Sequence, residues 1–191
     1  IMKQFKINKN YLHLKNWWET VDLTNYEKSL FNREIISFNQ QLIRFKEKKI
    51  RIGAYGKSGV GKSSVLNYLL KKDIFKTEII NGTTREIKAE PWILKDQTLK
   101  SVELIDSPGF DFCNTKFPDK VYSYINHLDL VLFIVSGDLN RNELNEMSSL
   151  VKDGKKIIVI LNKIDLFNKN DLKEIIENIK FKLPKDLNIP I

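Results

Sequence analysis

Cysteine, histidine and methionine are scarce in this chain of 191 residues, which carries one Cys, two His and two Met. A single thiol, Cys113, permits no intrachain disulfide, so a packed core must hold the fold and a reducing, cytosolic setting is expected. His13 and His127 stand far apart and make no zinc-ligand spacing. Long apolar runs are missing too. The longest, Leu130 to Val135, falls far short of the roughly 20 residues that cross a bilayer. Membrane contact is therefore expected to be peripheral or to lie outside this sequence. There is no internal repeat and no low-complexity linker. What the composition supplies is 42% hydrophobic residues, enough for one good core and an appendage.

Among only eight glycines, three fall within Gly56-Lys57-Ser58-Gly59-Val60-Gly61-Lys62-Ser63, the pattern G-x-x-x-x-G-K-[ST]. Glycines let such a loop turn tightly and bring backbone N–H groups up to a phosphate, and the following helix adds its positive end. Lys62 is placed to reach β- and γ-phosphates as a point charge, and Ser63 to offer a hydroxyl to Mg²⁺. The β-prone run 50–55 before the loop and the helical pattern after it, starting at Ser63 and Ser64, give the order strand, loop, helix. Nucleotide contacts are expected from Gly56, Ser58, Gly59, Val60, Gly61, Lys62, Ser63 and Ser64.

Two further motifs sit at the ends of apolar runs. Asp106-Ser107-Pro108-Gly109 follows Val102 to Ile105, so a strand delivers a carboxylate to the sheet edge where α/β folds bind ligands. Asp106 there suits Mg²⁺ through water, and the Gly109 N–H can approach a γ-phosphate. Asn162-Lys163-Ile164-Asp165 follows the β-branched run Ile157 to Leu161. It resembles the N-K-x-D motif of regulatory GTPases. A carboxylate such as Asp165 accepts two hydrogen bonds from guanine N1–H and the 2-amino group, an arrangement adenine lacks. Asn162 would tie this loop to the phosphate loop, and the stem of Lys163 would lie over the base.

Asn81-Gly82-Thr83-Thr84-Arg85 resembles the T-T-R stretch carried in switch I by many members of the Era, TrmE and septin-like branch. With these motifs in order, residues from about 49 to 191 resemble the TRAFAC class of P-loop GTPases. The resemblance implies an α/β fold, a mainly parallel sheet with helices on both faces, binding GTP or GDP with Mg²⁺. It implies Thr84, with Thr83 second, as a ligand of the γ-phosphate and, with Ser63 and Asp106, of the metal. Catalysis would fall to Lys62, Thr84 and Gly109, with Lys57 and Arg85 as further cations. Strands are expected at 50–55, 86–94, 99–105, 128–135, 156–161 and 187–191, and helices at 63–72, 116–127, 140–152 and 170–181.

The chain departs from the family pattern in three places. Phe110 stands where many signalling members carry a Gln that orients the attacking water, which an aromatic ring cannot do. Gly59 replaces the Asn of potassium-activated relatives. No S-A-K-like loop or final helix follows Asn188 to Ile191, so the GTPase domain at 49–191 is expected to be truncated before its last base-binding loop.

Residues 1–48 form a separate extension. Phe31, Ile35, Phe38, Leu42 and Phe45 make a helical apolar seam that Ile36 and Ile43 widen, and Asp22 or Thr24 is a candidate cap before that long helix. A helix before such a domain resembles bacterial dynamin-like and immunity-related GTPases, which implies a homodimer through the GTPase domains and peripheral membrane contact through regions outside this sequence. The alternatives are a non-hydrolysing guanine-nucleotide module and a ribosome-assembly GTPase. The net charge of +8 would suit a polyanion, but acidic residues interleave with the lysines, so nucleic acid is not an expected partner.

Overall fold

The computed structural model describes residues 2–76, 87–93, 101–111, 124–125, 127–183 and 189–191. The chain divides into two compact units, Ile1–Ile50 with Ile93–Val102 and Arg51–Trp92 with Glu103–Ile191.

The first unit begins with three helices, α1 (Met2–Thr20), α2 (Asn25–Leu30) and α3 (Asn32–Glu47). Thr24 caps the short α2 and not the long α3, which Phe31 precedes with no side-chain cap: the Thr24 side chain accepts from the Glu27 N–H, while the Glu27 carboxylate accepts from the Thr24 N–H at 2.9 Å. Of the expected seam on α3, Leu42 is buried and Phe38 half-buried, whereas Phe31 and Phe45 remain exposed. The partner surface is α1. Trp18 lies 4.7 Å from Phe38, ring centre to ring centre, and donates its indole N–H to Asn39 at 3.1 Å.

A five-stranded sheet follows, made of β1 (Lys49–Tyr55), β2 (Lys88–Trp92), β3 (Ser101–Asp106), β4 (Leu130–Val135) and β5 (Ile157–Leu161), in the order β2-β3-β1-β4-β5. β1 pairs with β4, and β4 with β5, in parallel. β2 carries Pro91, which cannot donate to a ladder, and an edge place suits it. Helices α4 (Lys62–Leu70), α5 (Arg141–Lys152) and α6 (Lys169–Lys182) complete the fold, α5 and α6 capped by Asn140 and Asn168.

The period of two along β4 explains why both faces are covered. Val131, Phe133 and Val135 enter one core with Met147 and Leu150 of α5 and Ile179 of α6. Leu132 and Ile134 enter the other with Leu66 of α4 and Phe75. Strands buried on both sides read as unbroken apolar runs, as Leu130 to Val135 does.

The α/β architecture agrees with the sequence, with element ends displaced by a few residues. At residues 189–191, part of the expected last strand, no regular strand forms, although the Val159 N–H donates to the Pro190 carbonyl at 2.9 Å. The helix expected at 116–127 lies outside the described residues except at Tyr124, Ile125 and His127. Leu66 has no exposed surface, so Leu66→Ala should lower the unfolding free energy by about 2–5 kcal/mol. Tyr68→Ala, at an 83% exposed position of the same helix, should stay within about 0.5 kcal/mol in the same urea titration.

Candidate nucleotide-binding site

The loop from Gly56 to Gly61 joins β1 to α4 without regular structure; the Gly61 carbonyl accepts from the Val65 N–H of α4 at 3.0 Å, and the others need partners from elsewhere. Lys62, only 7% exposed, donates its ammonium to the Gly56 and Lys57 carbonyls at 3.2 and 2.7 Å. The Phe110 N–H also reaches the Gly56 carbonyl, at 3.3 Å. Lys163 donates to the Gly59 carbonyl at 2.7 Å, and the Asn162 amide to the Val60 carbonyl at 2.9 Å. With these carbonyls engaged, the amide edge of the loop is the one offered to an anion.

Two glycines are fixed by their neighbours. Gly56 has φ 153° and a Cβ there would collide with the Ile134 carbonyl. Gly61 has φ 93° and a Cβ there would collide with the Asn162 amide. Hence Asn162 both braces the loop and demands a glycine opposite. Ser64 is exposed on the first turn of α4.

At the end of β3, Asp106 is 1% exposed and accepts from the Ser63 hydroxyl at 2.6 Å. Its other oxygen accepts from the Ser107 N–H at 3.1 Å. These two hard oxygen donors, adjacent and buried, fit Mg²⁺, which takes few protein ligands and shares the rest with phosphate and water. Among the described residues no group of three or more His, Cys, Asp or Glu side chains gathers into a metal cage. Thr84, the third expected metal ligand, lies outside the described residues, as do Thr83 and Arg85.

Phe110 points away from the loop. It is 3% exposed and stacks on Tyr55 at 5.6 Å, within the core that faces α5 and α6. Lys57 lies 3.9 Å from the buried Glu143 of α5. Beside it a cleft of about 340 Å³ runs between residues 57–60 and the turn 136–140. Asp165 is exposed, in a short 3₁₀ turn (Ile164–Leu166) that opens with Lys163 at φ 58°.

Sequence reasoning missed two groups. Asp111 accepts from the Ser58 N–H at 2.8 Å and from its hydroxyl at 3.0 Å, and the only signal was an acid two places after Gly109. Tyr124 fills the space left by Gly53, where a Cβ would collide with the phenol oxygen. That hydroxyl lies 3.4 Å from the carbonyls of both Ala54 and Ile105, and no local pattern marks it. Burial pushes the Tyr124 phenol far above its ordinary value, the nearby Asp106 charge adds to the rise, and a hydrogen bond with Ser107 opposes it.

A family described as "50S ribosome-binding GTPase" matches residues 51–163. The chain is 32% identical over 143 residues to GTPase Der of Buchnera aphidicola, covering 70% of this chain and 31% of that protein. It is 36% identical over 141 residues to GTPase Era of Borreliella burgdorferi, covering 70% of this chain and 47% of that protein. The chain thus spans less than half the length of these relatives. In three dimensions it is similar to a crystal structure of Era in complex with MgGDPNP and nucleotides 1506–1542 of 16S ribosomal RNA. The TM-score there is 0.61 at 23% identity, over 75% of this chain and 50% of that one.

The raised phenol pKa carries a stability prediction. The unfolded chain releases the Tyr124 proton near pH 10 while the folded chain retains it, so this contribution is complete below pH 10 and lost as pH rises above it. Tyr124→Phe should therefore unfold less steeply with alkali between about pH 10 and 11 than the parent, with a difference under about 1 kcal/mol at pH 7, both read from urea midpoints.

Proposed function

The chain belongs to the 50S ribosome-binding GTPase family, and from that premise we propose that it binds GTP and GDP with Mg²⁺ and hydrolyses GTP as a switch. Supporting this reading is the junction of three strand ends at one loop: Ser63 with Asp106, and Val60 with Asn162. The amides of the loop from Ser58 to Ser63 would cradle the phosphates, with Lys62 released from its carbonyls to reach the β- and γ-oxygens. Ser63, Asp106 and Thr84 would hold Mg²⁺, which supplies charge neutralisation on the phosphates when bound. Asp165 would read guanine, and Lys163 would cover the base.

Hydrolysis proceeds without a water-orienting side chain at position 110, since Phe110 is committed to the core. Phosphoryl transfer to water then depends on Lys62, the Gly109 N–H and Thr84 stabilising the developing charge. Intrinsic turnover is slow, and a partner or a second copy accelerates it. Among the biological settings weighed from sequence, ribosome assembly gains support, because the relatives that match include Era and Der and one Era structure holds ribosomal RNA. The expectation that nucleic acid is not a partner accordingly loses its support. A dynamin-like role finds none in these relatives.

Calorimetry with GTP, GDP and ATP in Mg²⁺ buffer tests the site. Guanine nucleotides should bind and ATP should not, and Asp165→Asn should weaken GTP about a hundredfold, the loss of two hydrogen bonds to a charged acceptor. ATP binding as tight as GTP binding would refute the assignment. For the chemistry, Phe110→Leu should keep kcat within about threefold, because the ring packs on Tyr55 and meets no substrate. A drop beyond about a hundredfold with unchanged melting would return position 110 to the reaction. Specific activity that rises with protein concentration would favour the dimerising reading, and salt-sensitive binding of ribosomal RNA the ribosomal one.

A further inference from the structure

A carboxylate lies on the phosphate loop itself. Both donors of Ser58, its backbone N–H and its hydroxyl, converge on one oxygen of Asp111 at 2.8 and 3.0 Å. The residues before it hold Asp111 in place. Before it, Phe110 is locked into the core against Tyr55 and donates its N–H to the Gly56 carbonyl at 3.3 Å. Gly109 lies so close to the loop that a Cβ would collide with the Ser58 hydroxyl and amide and with the Asp111 carboxylate. A backbone N–H and a hydroxyl aimed at one anionic oxygen is also the arrangement that a phosphate oxygen takes in such a loop.

Position along the loop identifies which phosphate is involved. The inner phosphates lie over the amides nearest the helix N-terminus, toward Lys62 and Ser63. Ser58 stands at the other end, against the Gly109 backbone, where the outermost phosphate meets the strand-end motif. We propose that Asp111 discriminates between nucleotide states, its carboxylate occupying the Ser58 donors in competition with the γ-phosphate of GTP while leaving GDP unopposed. GTP must displace the carboxylate from Ser58 and hold the 109–111 segment in a second position. This rests on the guanine-nucleotide reading of the site.

The test is calorimetry of GDP and of GDPNP, a GTP analogue, in Mg²⁺ buffer on this chain and on its Asp111→Asn and Asp111→Ala variants. Asp111→Asn keeps an acceptor for Ser58 and removes only the charge. Both variants should bind GDPNP about fivefold more tightly, the factor that like charges at contact distance produce in a largely aqueous dielectric, with GDP unchanged within about twofold. The gain should shrink at high salt. Asp138→Asn, at an acid lining the neighbouring cleft, should leave the ratio of the two affinities unmoved. A ratio unmoved in the Asp111 variants, or moved as far by Asp138→Asn, overturns the proposal and leaves the nucleotide site standing. Failure of every chain to bind either nucleotide would instead overturn the guanine-nucleotide reading, and the discrimination with it. Asp111 is exposed, so melting temperatures should stay within about two degrees of the parent and binding can be compared directly.

Discussion

Apart from Gly61, whose carbonyl accepts from the Val65 N–H of α4, the loop between β1 and α4 has no ladder or helix to pair its carbonyls, and the architecture of the site follows from how they are paired. Lys62 turns back onto Gly56 and Lys57, Lys163 reaches Gly59, and Asn162 reaches Val60. Each of these is a cationic or amide donor brought from a strand end or from the loop's own helix. Without them the peptide planes could rotate, and the amide edge would lose its common direction. A cradle for phosphate is therefore a tertiary object, although its glycines are local.

The sheet makes that convergence reachable. In the order β2-β3-β1-β4-β5, β1 lies between β3 and β4, so loops leaving β1, β3 and β5 can meet at one edge. Register along β4 sends alternate residues into two separate cores, one under α4 and one under α5 and α6. Both helical layers thus depend on the same six-residue strand. A stiff strand buried on both faces is what keeps Ile134 against Gly56 while Phe133 packs on Tyr55.

Phe110 and Asp111 divide one short segment between two tasks. The aromatic ring enters the core, and the carboxylate goes to Ser58. Since consecutive residues at the start of a helix point about 100° apart, burying the first directs the second away from the core and toward the loop. An aromatic residue after Gly109 thus has a structural consequence beyond the loss of a glutamine. It anchors the segment by hydrophobic contact with Tyr55.

Much of the site was legible in the sequence because its parts are local. Three glycines with Lys62 and Ser63, Asp106 with Gly109, and Asn162 with Asp165 are each a few residues long and sit after apolar runs whose period marks a strand. Element type followed from the same periods, including the helical seam around Leu42, though its end residues Phe31 and Phe45 are exposed, Phe45 resting only one edge against the Tyr11 ring of α1 at 6.4 Å. Contacts across long separations were beyond reach. The Asp111 bond to Ser58 spans 53 residues and the Asn162 bond to Val60 spans 102. Tyr124 fitting the space at Gly53 is likewise a matter of shape, which no spacing records. Sequence alone determined which chemical groups are present and on which element each stands, since these depend on near neighbours. Only the tertiary structure decided which of them meet, because that depends on strand order and on close packing across the whole chain.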